Sequence, residues 1–449
     1  MNSNFTRRGF IQTSAIGLAA MSTGRAVSTN GKLNHACIGV GGIGAADLRN
    51  FLKYDKVQVV AICDVDKQTL DAAAKLVPDA RKYTDWRELI AKEGDQIDSV
   101  NIAVPDHMHA AITMTALAAK KHVYCQKPLC HDVAECRAVA NATKEAGVVT
   151  QLGTQYASGL GDRMMVQLLK EGVIGKVKRV VLCSNRTNAI DQYRLVGPRP
   201  ALAEQAPAHL DWNLWLGTAP ERPYATGIYH PQKWRAWQDF GTGWSGDIGC
   251  HIFDAVWKGL GLSAPKTIVA DVQQSWLDSA ERRGDTWPQS DHITWTFPGS
   301  EMTEGDELTV EWYDGVMFPP EEVQQISDMA NYPEECAMVM GTEGSLLLPH
   351  QSGPRLYPRE KFKGHPNPNL EPRNHHHHFV DACLGGAMTE SHFLQTAPMT
   401  EAILLGTVAI RVPGELLQWN SSEMKIANNA TAQAMLKRTY RDGWKVAGL

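Results

Sequence analysis

Gly39-Val-Gly41-Gly42-Ile43-Gly44 constrains this chain more than any other feature. An apolar run, Ala36–Val40, leads into it and a helical pattern follows. The first glycine permits a tight turn. The second lets the backbone approach a pyrophosphate, and the third lets a helix pack closely on a strand. The opening helix aims N–H groups and a positive dipole end at phosphate. Asp64 stands twenty residues beyond Gly44, at the end of the next apolar run. A carboxylate there accepts hydrogen bonds from ribose hydroxyls and repels a 2′-phosphate, which favours NAD over NADP. The expected cofactor-binding set therefore begins with Gly39, Gly41, Gly42, Ile43, Gly44 and Asp64.

The stretch from Leu33 to about Tyr156 alternates strand and helix. Apolar runs at Ala36–Val40, Val57–Cys63, Ser99–Val104, His122–Cys125 and Val148–Leu152 are separated by helical segments such as Lys67–Leu76, His109–Lys120 and Asp132–Ala146. Near-continuous apolar strands between helices mean a parallel sheet covered on both faces, the doubly wound architecture. Beyond Tyr156 the pattern changes. A helix is expected from Asp247 to Leu260, with Gly261 as its C-cap, and Asp247 is itself a good N-cap residue. Strand-like segments recur at Val177–Ser184, Thr267–Gln274, His292–Phe297, Leu308–Tyr313 and Ala337–Met340, and Asn374 to about Tyr440 reads as mostly helical. The fold class is α/β, with a second, α+β domain built on an open, mainly antiparallel sheet. The expected division is 1–30, 33–156 and 157–449.

Residues 1–30 read as an export leader rather than part of the fold. Thr6-Arg7-Arg8-Gly9-Phe10-Ile11-Gln12 is a twin-arginine pattern, followed by the mildly apolar stretch Ser14–Met21 and small residues up to Ala26 and Ser28. The implied address is the periplasm. No cysteine near the expected cut suggests a lipid anchor, and no apolar stretch reads as long enough to span a membrane. A net charge of -5, with no basic run interleaved with aromatics, gives no reason to expect nucleic acid. The nine cysteines show no CxxC pair, and several lie in apolar runs, so they read as buried thiols.

Two strand ends share the rim of the glycine turn. Pro105-Asp106-His107 follows Ser99–Val104, and Gln126-Lys127-Pro128 follows His122–Cys125. Ligands of open parallel sheets bind beyond the carboxyl ends of the strands. Pro105, His107, Gln126 and Lys127 therefore join the expected cofactor site. Asp247 and His251 lie four residues apart, on one helix face.

Together these segments resemble the Gfo/Idh/MocA oxidoreductase family over nearly the whole mature chain. The resemblance implies an N-terminal Rossmann domain, a C-terminal α/β domain whose open sheet often serves oligomerisation, and a sugar, cyclitol or glycoside substrate. A homo-oligomer, dimer or tetramer, is the expected assembly. The family's catalytic lysine matches Lys127, and its aspartate and histidine match Asp247 and His251. An imidazole of near-neutral pKa suits the base that takes a hydroxyl proton, and a lysine suits charge stabilisation on the reacting oxygen. The family usually carries Glu-Lys-Pro where this chain has Gln126-Lys127-Pro128, which leaves the charge environment of Lys127 open. The segment containing Trp234, Arg235 and Trp237 resembles the pocket lining of exported, sugar-associated members. With Tyr229 it forms the expected substrate-binding set, against the alternative that its aromatics anchor a loop.

His375–His378 does not read as a metal site. Only His375 and His378 would share a helix face, further ligands are not evident, and solvated or pocket-edge histidines fit better. The periplasm offers no nicotinamide pool, so an exported enzyme of this kind must keep its cofactor and regenerate it in place. Two alternatives stand beside an oxidoreductase. One is a redox-neutral glycosidase, lyase or epimerase working through a transient keto-sugar. The other is a non-catalytic sugar-binding protein.

Overall fold

The computed structural model describes residues 31–186, 199, 201 and 203–449. The twin-arginine segment, with Arg7 and Arg8, lies outside the described residues.

Six parallel strands form the first sheet: β1 (Leu33–Ile38), β2 (Val57–Cys63), β3 (Arg81–Tyr83), β4 (Ser99–Ile102), β5 (His122–Cys125) and β6 (Thr150–Leu152). Their order is β3-β2-β1-β4-β5-β6. The order reverses between β1 and β4, which opens a crevice at the carboxyl ends of those two strands. β4 is buried along its whole length, as a strand covered on both faces must be. The covering helices have local causes. Asp132 and Glu135 form a reciprocal capping box at the start of the Val133–Ala146 helix, and Gly147 ends it at φ 63°.

The second sheet has nine strands: β7 (Val177–Ser184), β8 (Thr267–Val272), β9 (Asp291–Pro298), β10 (Glu307–Asp314), β11 (Glu335–Gly341), β12 (Ser345–Pro349), β13 (Arg355–Tyr357), β14 (Leu417–Asn420) and β15 (Lys425–Ile426). Their order is β13-β12-β11-β7-β10-β9-β8-β14-β15. All neighbours pair antiparallel except β7 and β10, which are parallel. The architecture is therefore the expected α/β fold, a doubly wound parallel sheet followed by a mainly antiparallel one. Strands β12 to β15 go beyond the sequence reading. They are short, and β14 and β15 interrupt a region expected to be mostly helical.

The helix carrying Asp247 and His251 runs from Gly243 to Leu260, and Thr242 is its N-cap residue. Asp247 therefore sits in the second turn and does not cap the helix. Gly261 ends it at φ 61°, the expected left-handed C-cap.

The Phe393–Ile410 helix packs against both Val133–Ala146 and Gly243–Leu260. It joins the two domains through one continuous hydrophobic core. This helix is long and apolar enough to cross a membrane by length and composition, contrary to the sequence reading, yet most of it is buried inside the protein. Its Glu401 is paired with Arg137 of the Rossmann-like half. All nine cysteines are free, and eight are buried.

Candidate active site

The rim is built from the glycines first. Gly39 has φ 78°, and a Cβ there would lie 2.2 Å from the Ala103 carbonyl oxygen on the next strand end. A Cβ on Gly44 would lie 2.1 Å from the Gly39 carbonyl oxygen. Any side chain at either position would push helix from strand. Gly41 is the N-cap residue of the Gly42–Leu52 helix, which has no side-chain cap and no acidic residue in its first turn. That helix end is left to bind an anion. Ile43 projects outward, 49% exposed. The Asp64 carboxylate accepts hydrogen bonds from the backbone N–H of Val40 and of Asp66, both at 2.9 Å. It is thereby fixed beside the glycine turn, with lone pairs left for ribose hydroxyls. The turn, the uncapped helix and Asp64 fit a dinucleotide.

The charged cluster starts from the same edge of the parallel sheet, with Lys127 just beyond β5. Lys127 Nζ donates to the Asp247 carbonyl at 2.9 Å and forms an ion pair with Asp247 Oδ1. Arg235 Nε approaches the other carboxylate oxygen, Oδ2, at 3.2 Å. Burial alone would raise the Asp247 pKa, but the two cations hold it far below the usual carboxylate range. His251 lies one turn further along the same face. Burial, then Lys127 and His350, push its pKa well below the ordinary histidine value, so the ring is neutral. Its Nδ1 is buried with no hydrogen-bond partner among the described residues. A near-neutral imidazole was expected here, and desolvation beside a lysine overrides that expectation.

Gln126 explains its own departure from Glu. Its amide donates to Asp47 Oδ2 at 2.8 Å, and His376 Nε2 meets Asp47 Oδ1 at 2.9 Å. A glutamate at 126 would set two carboxylates against each other. The charge balance of Lys127 comes from Asp247 instead.

Several expected residues are turned elsewhere. His107 is buried with Nε2 3.1 Å from the Leu216 carbonyl, and its ring packs against Trp215 and Phe240. It backs the rim rather than facing the crevice. Pro105 starts the short turn over Asp106–Met108. Tyr229 and Trp237 are each 1% exposed and interlock with Trp212 and Phe240 around the buried Arg222. Trp234 is buried too, with the Arg235 guanidinium over its ring. These aromatic faces are filled by protein, so a loop anchor describes Tyr229 and Trp237. Arg235 alone of that set reaches the reactive cluster.

His375 and His376 are buried, not solvated. His375 contacts Ser158 Oγ at 2.7 Å and the Leu152 carbonyl at 2.9 Å, while His376 stacks on Tyr124. Among the described residues, no group of three or more His, Cys, Asp or Glu side chains converges as a metal site.

Sequence reasoning missed four groups. His109 contacts the Val104 carbonyl at 2.8 Å and the Pro128 carbonyl at 2.6 Å, tying the two rim turns together. Tyr156 and His350 pack against each other and against His251. His350 follows β12, a strand that the sequence pattern does not reveal. Asp106 is legible in sequence as the middle of the Pro105–His107 turn, but its bond to the Thr242 hydroxyl is made by the fold.

Residues 33–154 match the description "Oxidoreductase family, NAD-binding Rossmann fold", and residues 160–299 match the same family's "C-terminal alpha/beta domain". The chain belongs to the Gfo/Idh/MocA oxidoreductase family. Inositol 2-dehydrogenase of Salmonella typhimurium is 31% identical over 147 residues, 32% of this chain and 43% of the relative. A glycosyl hydrolase family 109 protein of Shewanella pealeana is 27% identical over 149 residues, 31% of this chain and 32% of the relative. The matched stretch thus spans less than half of these curated relatives. The fold extends much further. The WlbA dehydrogenase of Chromobacterium violaceum, solved with NADH and UDP-GlcNAcA, aligns over 88% of this chain and 97% of its own, with TM-score 0.60 and 13% identity.

Proposed function

We propose that this protein is an exported NAD-dependent oxidoreductase acting on a hydroxyl-bearing or keto carbon of a sugar, cyclitol or glycoside. The observation that carries the proposal is the pairing of Lys127, at the carboxyl end of a strand in the sheet that bears the glycine turn, with Asp247, 120 residues further along the chain and one helical turn from His251. The rim residues Gly39, Gly41, Gly44 and Asp64 hold the cofactor, which supplies the hydride acceptor or donor when bound.

The protein's own groups handle the proton and the charge. Lys127 hydrogen-bonds the reacting oxygen and stabilises negative charge on it. Asp247 orients Lys127 and Arg235 with its two oxygens. The neutral His251 ring takes the hydroxyl proton in oxidation and returns it in reduction. Arg235 contributes a planar donor for substrate hydroxyls. NAD is favoured over NADP because Asp64 places a carboxylate where a 2′-phosphate would sit.

Export by the twin-arginine route to the periplasm is part of the same proposal, on the strength of Thr6–Gln12. The free, buried cysteines support folding in a reducing compartment before export. Assembly as a dimer or tetramer through the second face of the nine-stranded sheet is also proposed. On β9 that face carries the half-buried His292, Thr294 and Thr296.

The test is to purify the exported protein without added nucleotide. Mass spectrometry is expected to find retained NAD or NADH. A panel of cyclitols and glycosides is expected to yield keto products or their reduction. Bond cleavage with no net redox change would favour the redox-neutral reading, and no nucleotide with no reaction would leave a sugar-binding protein.

A further inference from the structure

Asp66 ties the second domain to the ribose end of the cofactor site. It lies just beyond β2, is 5% exposed and is the N-cap residue of the Lys67–Ala74 helix. Its carboxylate is shared between local and distant donors. Gln68 N–H donates to Oδ1 at 2.8 Å, an ordinary capping bond. His209 Nδ1 donates to the same oxygen at 2.9 Å, and His230 Nε2 donates to Oδ2 at 3.1 Å. These histidines stand 143 and 164 residues further along the chain, between β7 and β8.

The backbone is stitched at the same place. Lys67 N–H donates to the His209 carbonyl at 2.8 Å, and Asp211 N–H donates to the Val65 carbonyl at 3.0 Å. Asp66 and Leu210 thus pair as an isolated antiparallel bridge, with Leu210 buried in the core shared by both domains. The His230 ring meets the buried Trp215 edge-on.

Asp66 in turn holds Asp64. Its N–H donates to Asp64 Oδ1 at 2.9 Å, while Val40 N–H donates to Oδ2 at 2.9 Å. The Val40 bond comes from the neighbouring strand end. The Asp66 bond depends on where residue 66 is held. The helix that Asp66 caps also backs the glycine turn, since a Cβ on Gly41 would lie 2.9 Å from Thr69 Cγ2.

We propose that His209 and His230 are positioning residues of the cofactor site: by holding Asp66 they fix the Asp64 carboxylate for the adenosine ribose, so the second domain sets nucleotide affinity and the preference for NAD. The inference rests on the assignment of Asp64 to the ribose hydroxyls and adds two residues from outside the parallel sheet.

A carboxylate that serves two ribose hydroxyls must keep one orientation, and Asp64 sits at the end of a strand where the chain is free to turn. The histidine bonds supply the missing restraint, and both end on a charged acceptor, the stronger class of hydrogen bond. Burial alone would raise the Asp66 carboxyl. The His230 bond, the Gln68 N–H and the His209 bond outweigh burial and hold it below the usual carboxylate range, so it stays an acceptor. Coupling is reciprocal, so bound nucleotide tightens the histidine anchor by the same factor.

The deciding experiment is titration of the full, nucleotide-stripped protein with NAD and with NADP, followed by tryptophan fluorescence. The double variant His209→Ala/His230→Ala is expected to bind NAD about tenfold more weakly, within the usual range of coupling between sites. NADP is expected to lose less, so the preference narrows. His209→Asn/His230→Gln is expected to recover most of the affinity, because each amide returns an N–H near the position of the lost ring donor. In an Asp64→Ala background the double alanine change is expected to alter NAD affinity by less than about twofold, the scale of independent sites. Unchanged NAD affinity, equal losses with and without Asp64, or no recovery by the amides overturns the proposal. His230→Ala alone leaves the His209 backbone bonds in place and carries the same test where the double variant does not fold. A wild type that binds neither nucleotide refutes the cofactor assignment itself, whereas a wild type that binds NAD beside an unaffected variant refutes only the histidine role.

Discussion

The glycine turn and the charged cluster both start from the carboxyl ends of strands in one parallel sheet but are made in opposite ways. The rim is backbone. Gly39, Gly41, Gly44 and Asp64 fall within 26 residues of chain, and their geometry follows from one strand–turn–helix unit and the next strand. The cluster is side chain. Lys127 follows a strand of the first sheet, while Arg235 and Asp247 lie between β7 and β8 of the second, and the three are held by mutual charge. A local backbone site tolerates loss of one hydrogen bond but not a Cβ. A buried charge cluster tolerates volume changes but not loss of a partner. The two regions therefore break under different substitutions.

The sharpest break is Asp247→Ala. It leaves Lys127 and Arg235 facing each other without their carboxylate. Removing one partner of a buried ion pair costs about 3–5 kcal/mol, and denaturant unfolding is expected to show a loss on that scale. Turnover is expected to vanish with it. The wild-type pair is robust to acid. Because the cations depress the Asp247 pKa, its contribution is full above the ordinary carboxylate range and is lost only as pH falls through the far lower folded value.

His251→Ala and Lys127→Met come next. Each is expected to lower turnover by roughly a hundredfold or more with little effect on nucleotide affinity, measured by steady-state kinetics and fluorescence titration. Because the His251 ionisation is pushed well below neutrality, the alanine variant is expected to keep any near-neutral inflection in its pH profile. Loss of that inflection would return the titrating role to His251.

Gly39→Ala tests the rim. The Cβ overlaps the Ala103 carbonyl, and the residue must hold φ 78°. Strain of this kind costs about 1–3 kcal/mol, and nucleotide binding is expected to fail while the charged cluster stays intact. The mildest test is Asp64→Ala. It removes repulsion of a 2′-phosphate and is expected to narrow the preference for NAD over NADP by about tenfold, roughly 1.4 kcal/mol. Equal titration of both nucleotides by the wild type would refute the assignment.

The sequence carried the rim almost complete, because strand, turn, helix and Asp64 are local and each residue type has a steric or charge reason at its position. It carried the strands β2, β5 and β7 to the residue, since near-continuous apolar runs bounded by polar ones fix a strand at short range. It also placed Asp247 and His251 on one helix face. Packing decided the rest. What each member of Pro105-Asp106-His107 touches depends on the rotation of one turn, and Thr242 and Phe240, more than 130 residues away, hold that rotation. Whether Tyr229, Trp234 and Trp237 greet a ligand or fill a core depends on what lies behind them, and an aromatic side chain suits both. The charge states of Asp106, Asp247 and His251 were beyond any local pattern, because burial and neighbours brought together only by the fold determine them.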